Sequence, residues 1–129
     1  MIDEKQKTKL LKGFSKIYKV RTEPQEEITE YKDNDFFMTE CNVLGVEFQD
    51  LELKKWFNYN FDVSITKSPE LSYNGLSKSE SKINQEYLSK ALTLFKSVDI
   101  KPILKVGYEY PITLEAEGLF KVIIAPVVD

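Results

Sequence analysis

The segment PITLEAEGLFKVIIA, residues 111–125, decides the fold class of this chain. Two apolar runs, residues 111–116 and 119–125, flank Glu117-Gly118, a pair that is typical of the tight turn in a β-hairpin. The preceding apolar run, residues 100–106, predicts a third strand. An antiparallel meander of three strands is therefore expected at the end of the chain.

Upstream of this meander the spacing of apolar residues becomes helical. Residues 84–97 predict an amphipathic helix with Asn84 as its N-cap. Its expected buried face consists of Leu88, Ala91, Leu92 and Phe95, and its expected outer face of Glu86, Lys90, Thr93 and Ser97. A helix is therefore expected to lead into the meander.

The middle of the chain predicts strands. Residues 26–31 and 36–39 are expected to be strands joined by a turn at residues 32–35. Residues 43–53 predict a longer strand with a bulge, because the alternation shifts phase after Phe48. The most regular alternation predicts a further strand and runs through Phe57, Tyr59, Phe61, Val63 and Ile65. Residues 69–81, rich in Ser, Asn and Gly, predict a loop.

The N-terminal region predicts a second amphipathic helix, residues 8–20, with Thr8 as its N-cap, so that Lys5 would precede it. Five lysines recur every three or four residues and fall within an arc of about 80° on a helix. They are Lys5, Lys9, Lys12, Lys16 and Lys19, opposite Leu10, Leu11, Phe14, Ile17 and Tyr18. Such a row is either a solvated outer face or a line of charges facing a polyanion, most simply a nucleic-acid backbone.

The distribution of charge along the chain favours the polyanion. Residues 1–21 contain seven basic and two acidic residues, whereas residues 22–53 contain ten acidic residues and Lys32 as their one base. The whole chain nevertheless has a net charge of −3. Positive charge concentrated on one face of an acidic protein indicates a focused contact with a polyanion rather than a general coat.

Composition argues against most catalytic chemistry. The chain has no histidine and one cysteine, Cys41, so imidazole-dependent catalysis and an internal disulfide are excluded, and the thiol suits a reducing cytoplasm. No glycine-rich phosphate loop is present. We expect no enzyme activity, cofactor or metal. Without a long apolar run or a secretory signal, the chain is expected to be cytoplasmic or associated with the nucleoid, with no membrane partner.

At 129 residues the chain is expected to form a single domain, residues 1–129. The predicted order is helix, strands, helix, strands, which indicates an α+β fold of two repeats. Two helices are expected to pack on one face of a mainly antiparallel sheet. Their outer faces would form one surface carrying the candidate DNA-binding residues Lys9, Lys12, Lys16, Lys19 and Lys90.

Residues 82–127 resemble the end of archaeal and eukaryotic sliding clamps, the PCNA family. Three features in the right order carry the resemblance: Tyr87-Leu88 opening the helix, Tyr110-Pro111 opening a strand, and the terminal Ile123-Ile124-Ala125-Pro126. Residues 11–18 lie where the first helix of a clamp domain is expected. Between residues 22 and 80 the resemblance is in element order alone.

The resemblance implies a processivity factor that self-assembles around duplex DNA and tethers replication or repair proteins. Helices of clamp domains line a ring, and rings close by pairing edge strands. The resemblance implies the strand at residues 119–125 as the candidate for this pairing. A ring of single domains would need six copies or a two-domain partner. Clamp partners dock beside the tail after the last strand, which implies a partner-binding site at Ala125, Pro126 and Val127.

Two alternatives remain open. A lone clamp-like domain of viral or plasmid origin could bind a full-length clamp or its partners and regulate them, instead of encircling DNA. The chain could also be a generic α+β interaction module whose resemblance to clamps is accidental.

Overall fold

The computed structural model describes residues 3–23, 30–38, 44–73, 82–107 and 110–126. These ranges form an α+β fold, as the sequence predicts. The helices are α1 (Glu4–Phe14), α2 (Leu51–Asn60) and α3 (Gln85–Ser97). The strands are β1 (Lys19–Val20), β2 (Asp35–Met38), β3 (Leu44–Phe48), β4 (Phe61–Asp62), β5 (Ser64–Lys67), β6 (Ile103–Lys105), β7 (Ile112–Ala116) and β8 (Phe120–Ile124).

Six strands form one antiparallel sheet in the order β5-β2-β3-β8-β7-β6, and β1 pairs separately with β4. The order is symmetric about the central β3–β8 pair. On one side α1 precedes the pair β2–β3, and on the other α3 precedes the pair β7–β8. Two helix-plus-strands units therefore meet at the centre of the sheet. Along the chain, α2, β4 and β5 come between the two units, and in the sheet β5 is an edge strand.

The helices α1 and α3 pack against each other, as expected. Gly13 is at the closest approach, because a Cβ atom there would lie 2.7 Å from the Leu94 Cδ1 atom. On the inner side of α1, the ring of Phe14 contacts aromatic rings from α2 and the sheet, including Phe57 at 5.0 Å and Phe120 at 5.7 Å between centroids. An aromatic core thus fixes both helices on one face of the sheet.

Two predicted strands are wrong in part. Residues 44–48, 61–62 and 64–65 are in strands as predicted, but residues 51–60 form the helix α2. Asp50 caps this helix, and its carboxylate accepts a hydrogen bond from the Leu53 amide at 3.1 Å. The change of phase after Phe48 therefore marks a helix start, not a bulge. Further along, Phe57 and Phe61 are both buried four residues apart, while Tyr59 between them is 42% exposed.

The first helix begins and ends earlier than predicted. Asp3 is its N-cap and forms a capping box with Gln6, whereas Thr8 lies inside the helix and donates to the Glu4 carbonyl. The helix ends at Phe14 and the chain turns before β1. Lys5 is consequently inside the helix, whereas Lys16 lies in the turn and Lys19 in β1.

The second half of the chain agrees closely with the sequence analysis. Asn84 caps α3, the three final strands form the meander, and Gly118 has a φ of +79° in the β7–β8 turn. Leu92, predicted as buried, is 45% exposed, and Leu94 faces the core instead. The turn at residues 32–35 also forms, closed by the Asp35 amide bonded to the Lys32 carbonyl at 3.1 Å.

Other predictions fall partly or wholly on residues outside the described ranges. Of the strand at 26–31, residues 30 and 31 are described and are not in a strand. Residues 69–73 are irregular, as expected, and 74–81 lie outside the described ranges, as does Cys41. None of the described helices combines the length and apolar character needed to cross a bilayer.

Candidate nucleic-acid interface

The candidate interface is the solvent side of α1 and α3, which we call the helix layer. On α1, burial of Leu10, Gly13 and Phe14 turns the opposite side outward. Three exposed lysines lie on that side, namely Lys5, Lys9 and Lys12, which we call the α1 lysine row. Their spacing of four and three residues keeps the ammonium groups on one side of the helix.

The α1 lysine row is not neutralised by the described part of the chain. Among the described residues, no carboxylate lies within ion-pair distance of these three lysines, of Lys16 or of Lys19. By contrast, Lys7 on the flank of α1 lies 3.6 Å from the Glu4 carboxylate. The row is therefore exposed to solvent and has no ion-pair partner among the described residues.

Lys16 and Lys19 are exposed but do not continue the row along a helix. The Lys16 amide donates to the Gly13 carbonyl at 3.3 Å in the turn that ends α1. Lys19 lies in β1 and is paired across the strands with Asp62. Of the predicted DNA-binding residues, Lys9 and Lys12 therefore lie on one side of α1, together with Lys5. Lys16 and Lys19 lie outside the helix and do not extend this row.

Lys90 lies on α3 and differs from the lysines of α1. Its ammonium group is 3.2 Å from the Glu86 carboxylate and 5.7 Å from the centre of the Tyr87 ring. It is also half-buried. We therefore expect Lys90 to contribute less to a phosphate contact than Lys9 or Lys12.

The opposite face of the sheet has a different charge. Lys121 on β8 is paired across the strands with Glu47 on one side and Glu115 on the other, which leaves a net negative group. Ser68 donates to Glu47, and Gln49 donates to Glu115 at 3.2 Å. Lys105 of β6 lies on the same face as Glu115, so charges of both signs alternate on this side of the sheet.

The predicted partner-binding residues lie at one end of the sheet. Ala125 and Pro126 follow β8 and are half-buried, and Pro126 forms an isolated bridge with Ile83 before α3. Val127 lies outside the described residues. Three clefts that are lined by described residues are located elsewhere on the molecule.

Two features of the structure were not predicted from the sequence. Lys54 on α2 is 3% exposed, donating to the Lys32 carbonyl at 2.5 Å and lying 3.9 Å from the Asp35 carboxylate. Its pairing indicates a structural role. The second feature is a cleft of about 330 Å³ at the end of α3, lined by Leu92, Phe95, Lys96, Asp99, Ile100, Lys101 and Pro102. The start of α1 could have been predicted from the sequence, because Asp3 and Gln6 have the spacing of a capping box.

Comparisons with protein-family models, with curated proteins and with solved structures gave no match. Within the described ranges, no group of acidic, cysteine or histidine side chains is arranged to hold a metal ion. The geometry offers a surface for binding: exposed lysines that have no carboxylate partner in the described ranges, on a helix packed beside a second helix on one face of a sheet.

Proposed function

We propose that this chain is a non-enzymatic DNA-binding protein of the sliding-clamp type. It lies on duplex DNA through its helix layer, self-associates through a sheet edge and tethers replication or repair proteins. Its contacts go to phosphates and are therefore independent of base sequence. The protein works by holding partners near DNA, with no chemical step of its own.

The single observation that carries this proposal is the α1 lysine row. Three exposed lysines lacking carboxylate partners in the described ranges lie on a helix that is fixed to the core by Phe14. Because the backbone of α1 is already ordered, little backbone entropy is lost when its lysines bind phosphates. Each such contact also releases counterions from DNA. The symmetric placement of α1 and α3 supports a clamp-type arrangement, in which both helices face the duplex.

Self-association through residues 119–125 is not part of the proposal, because β8 is central and is paired on both sides, with β3 and with β7. The sheet edges in the described ranges are β5 and β6. Two β5 strands can pair antiparallel about Ile65, with Ile65 opposite Ile65 of the copy and Ser64 opposite Thr66, so that no like charges are opposed. The two-fold axis of such a pair is perpendicular to the sheet and puts both helix layers on the same side.

The test compares two double charge reversals. Lys9→Glu/Lys12→Glu removes two members of the α1 lysine row, and Lys32→Glu/Lys55→Glu reverses two exposed lysines in the turn before β2 and on α2. Both variants change net charge equally. We expect only the first to weaken binding to a fluorescent 30-base-pair duplex and to reduce the salt dependence of log K by about two units, one for each lost contact.

Far-ultraviolet circular dichroism and the thermal midpoint of both variants serve as folding controls. Equal loss of affinity in the two variants would mean that net charge alone, and not the helix layer, attracts DNA. Wild-type affinity and salt dependence in Lys9→Glu/Lys12→Glu would refute the proposal.

A further inference from the structure

The corner formed by the end of α3 and strand β6 has an apolar surface. Two large apolar side chains are well exposed on its helix side, Leu92 at 45% and Leu104 at 57%, whereas Ile103 lies on the opposite face of the sheet. The cleft of about 330 Å³ includes Leu92, Phe95 and Ile100. The apolar surface of the corner therefore combines residues of α3 with Leu104 of β6.

The shape of this corner is set by the C-terminus of α3. The Ile100 amide donates to the Phe95 carbonyl at 3.1 Å and the Asp99 amide to the Lys96 carbonyl at 3.2 Å. Asp99 has a φ of +58°, so these bonds form a Schellman motif, which folds Ile100 back towards the helix. The wall of the cleft is therefore held by backbone hydrogen bonds and not by surface side chains alone.

Strand β6 adds an unsatisfied backbone edge to this corner. It pairs with β7 and ends the sheet order, so its other side has no strand partner in the described ranges. Leu104 is paired with the buried Leu114 and therefore lies on the side of the sheet that α3 covers. An added strand would bond to this edge and place alternate side chains towards the apolar cleft.

The charges around the corner select the partner. Among the described residues of this corner, Lys96, Lys101 and Lys105 are exposed, and the acids are Asp99 and Glu115, which lies opposite Ile103. A second copy of β6 would bring two further lysines to the same edge, and β5 of another copy would bring Lys67. Both arrangements would add positive charge to an edge that is already basic, whereas a strand with acidic side chains would complement it.

We propose that the β6 edge and the adjoining cleft bind an extended acidic peptide of a partner protein, with apolar side chains at alternate positions. The peptide adds to the sheet as a seventh strand beside β6. This inference names the class of partner for the tethering part of the proposed function, and its biological role rests on that function. It assigns partner binding to the β6 corner rather than to the tail at Ala125 and Pro126.

The test uses a phage-displayed library of ten-residue peptides, apolar at alternate positions and with Asp, Glu, Lys, Arg, Ser and Thr equally frequent between them. We expect selection on the wild-type protein to enrich Asp and Glu. A synthetic enriched peptide should bind Lys101→Glu/Lys105→Glu about tenfold more weakly, because both reversed charges would repel it. Lys32→Glu/Lys55→Glu should bind it as the wild type does, and N-methylation of alternate peptide amides should abolish binding.

Other results would overturn the inference. These are the absence of enrichment, enrichment of basic peptides, unchanged affinity of Lys101→Glu/Lys105→Glu, or equally tight binding of the N-methylated peptide. A dimer of the chain that Leu104→Thr dissociates would assign the β6 edge to a second copy. Because the peptide assay contains no DNA and the duplex assay contains no peptide, failure of this inference and failure of DNA binding are distinguishable.

Discussion

At the scale of single residues, Tyr18 shows how one buried polar group ties the N-terminal region to the sheet. Its side chain is 4% exposed, and its hydroxyl lies 3.3 Å from the carbonyl oxygens of both Phe37 and Leu44. The hydroxyl has one proton, which the two acceptors share. Burial raises the pKa of Tyr18 well above its ordinary value, because the phenolate would be poorly solvated there.

We predict that Tyr18→Phe lowers the free energy of unfolding by about 1 kcal/mol at pH 8, the usual net value of a buried hydrogen bond. The raised pKa of Tyr18 in the folded state stabilises the protein fully below pH about 10, where the unfolded tyrosine titrates. That stabilisation is lost as pH rises further, by up to about 1.4 kcal/mol per pH unit. The difference between wild type and variant should therefore shrink above pH 10.

Urea unfolding of both proteins between pH 8 and 11 measures this effect. The pKa of Tyr73 is raised as well, first by burial and also by the neighbouring Tyr110, against a hydrogen bond with Thr113 that lowers it. Tyr73 contributes equally to both proteins and cancels in the difference. Parallel stability curves across this range would contradict the assignment to Tyr18.

At the scale of elements, the sequence of α2 contains local signals that indicate a helix. Asp50 precedes it, Glu52 lies in its first turn, and Leu53 and Phe57 face the core one turn apart. These are ordinary helix signals. They were outweighed in the sequence analysis by the alternation through Phe57, Tyr59 and Phe61, because a separation of four residues fits both a strand and a helix.

We predict that Asp50→Ala lowers the free energy of unfolding by about 1 kcal/mol, the typical loss when an N-cap is removed. The carboxylate accepts from the Leu53 amide, which alanine would leave without its partner. Asp50→Asn retains an acceptor and should remain within a few tenths of a kcal/mol of wild type. Urea unfolding of the two variants provides the measurement, and equal losses in both would show that charge, rather than capping, is responsible.

At the scale of the whole molecule, the arrangement of edges governs assembly. The strands β5 and β6 lie at opposite ends of the sheet, and the proposals give them different partners: a second copy for β5 and an acidic peptide for β6. A closed ring of single domains would need both edges for contacts between copies. The expected assembly is therefore a two-fold dimer that lies on the duplex with both helix layers facing it.

We predict that the protein in solution has about twice the mass of one chain. Ile65→Lys should reduce it to a monomer, because the lysine would replace an apolar side chain at the centre of the β5 pair. Leu51→Lys, at a more exposed apolar position on α2, should leave the dimer intact. Light scattering on a size-exclusion column measures the masses, with and without nicked circular plasmid.

The dimer should bind circular and linearised plasmid equally. A ring-sized oligomer retained on the circle and lost after linearisation would replace the dimer with an encircling clamp, and would return β6 to contacts between copies. A monomer at all concentrations would refute self-association.

Local physical chemistry in the sequence was sufficient to predict α3, the β7–β8 hairpin and the turn at residues 32–35. A cap at Asn84, a glycine in the turn at Gly118 and the spacing of core residues act over a few positions and need no distant partner. The basic character of the N-terminal helix was likewise evident. Its start was misplaced because Thr8 was chosen over Asp3, whose capping box with Gln6 was equally local.

The tertiary structure alone decided which strands are edges, which lysines share a surface, and whether residues 57–61 follow a strand or a helix periodicity. Each depends on contacts between residues far apart in sequence. The last strand is central because Val46 of β3 lies beside Val122, and Phe57 faces inward because the Phe14 ring is there to meet it. Sequence periodicity determined which side of each element is apolar, and burial against distant partners determined what that side contacts.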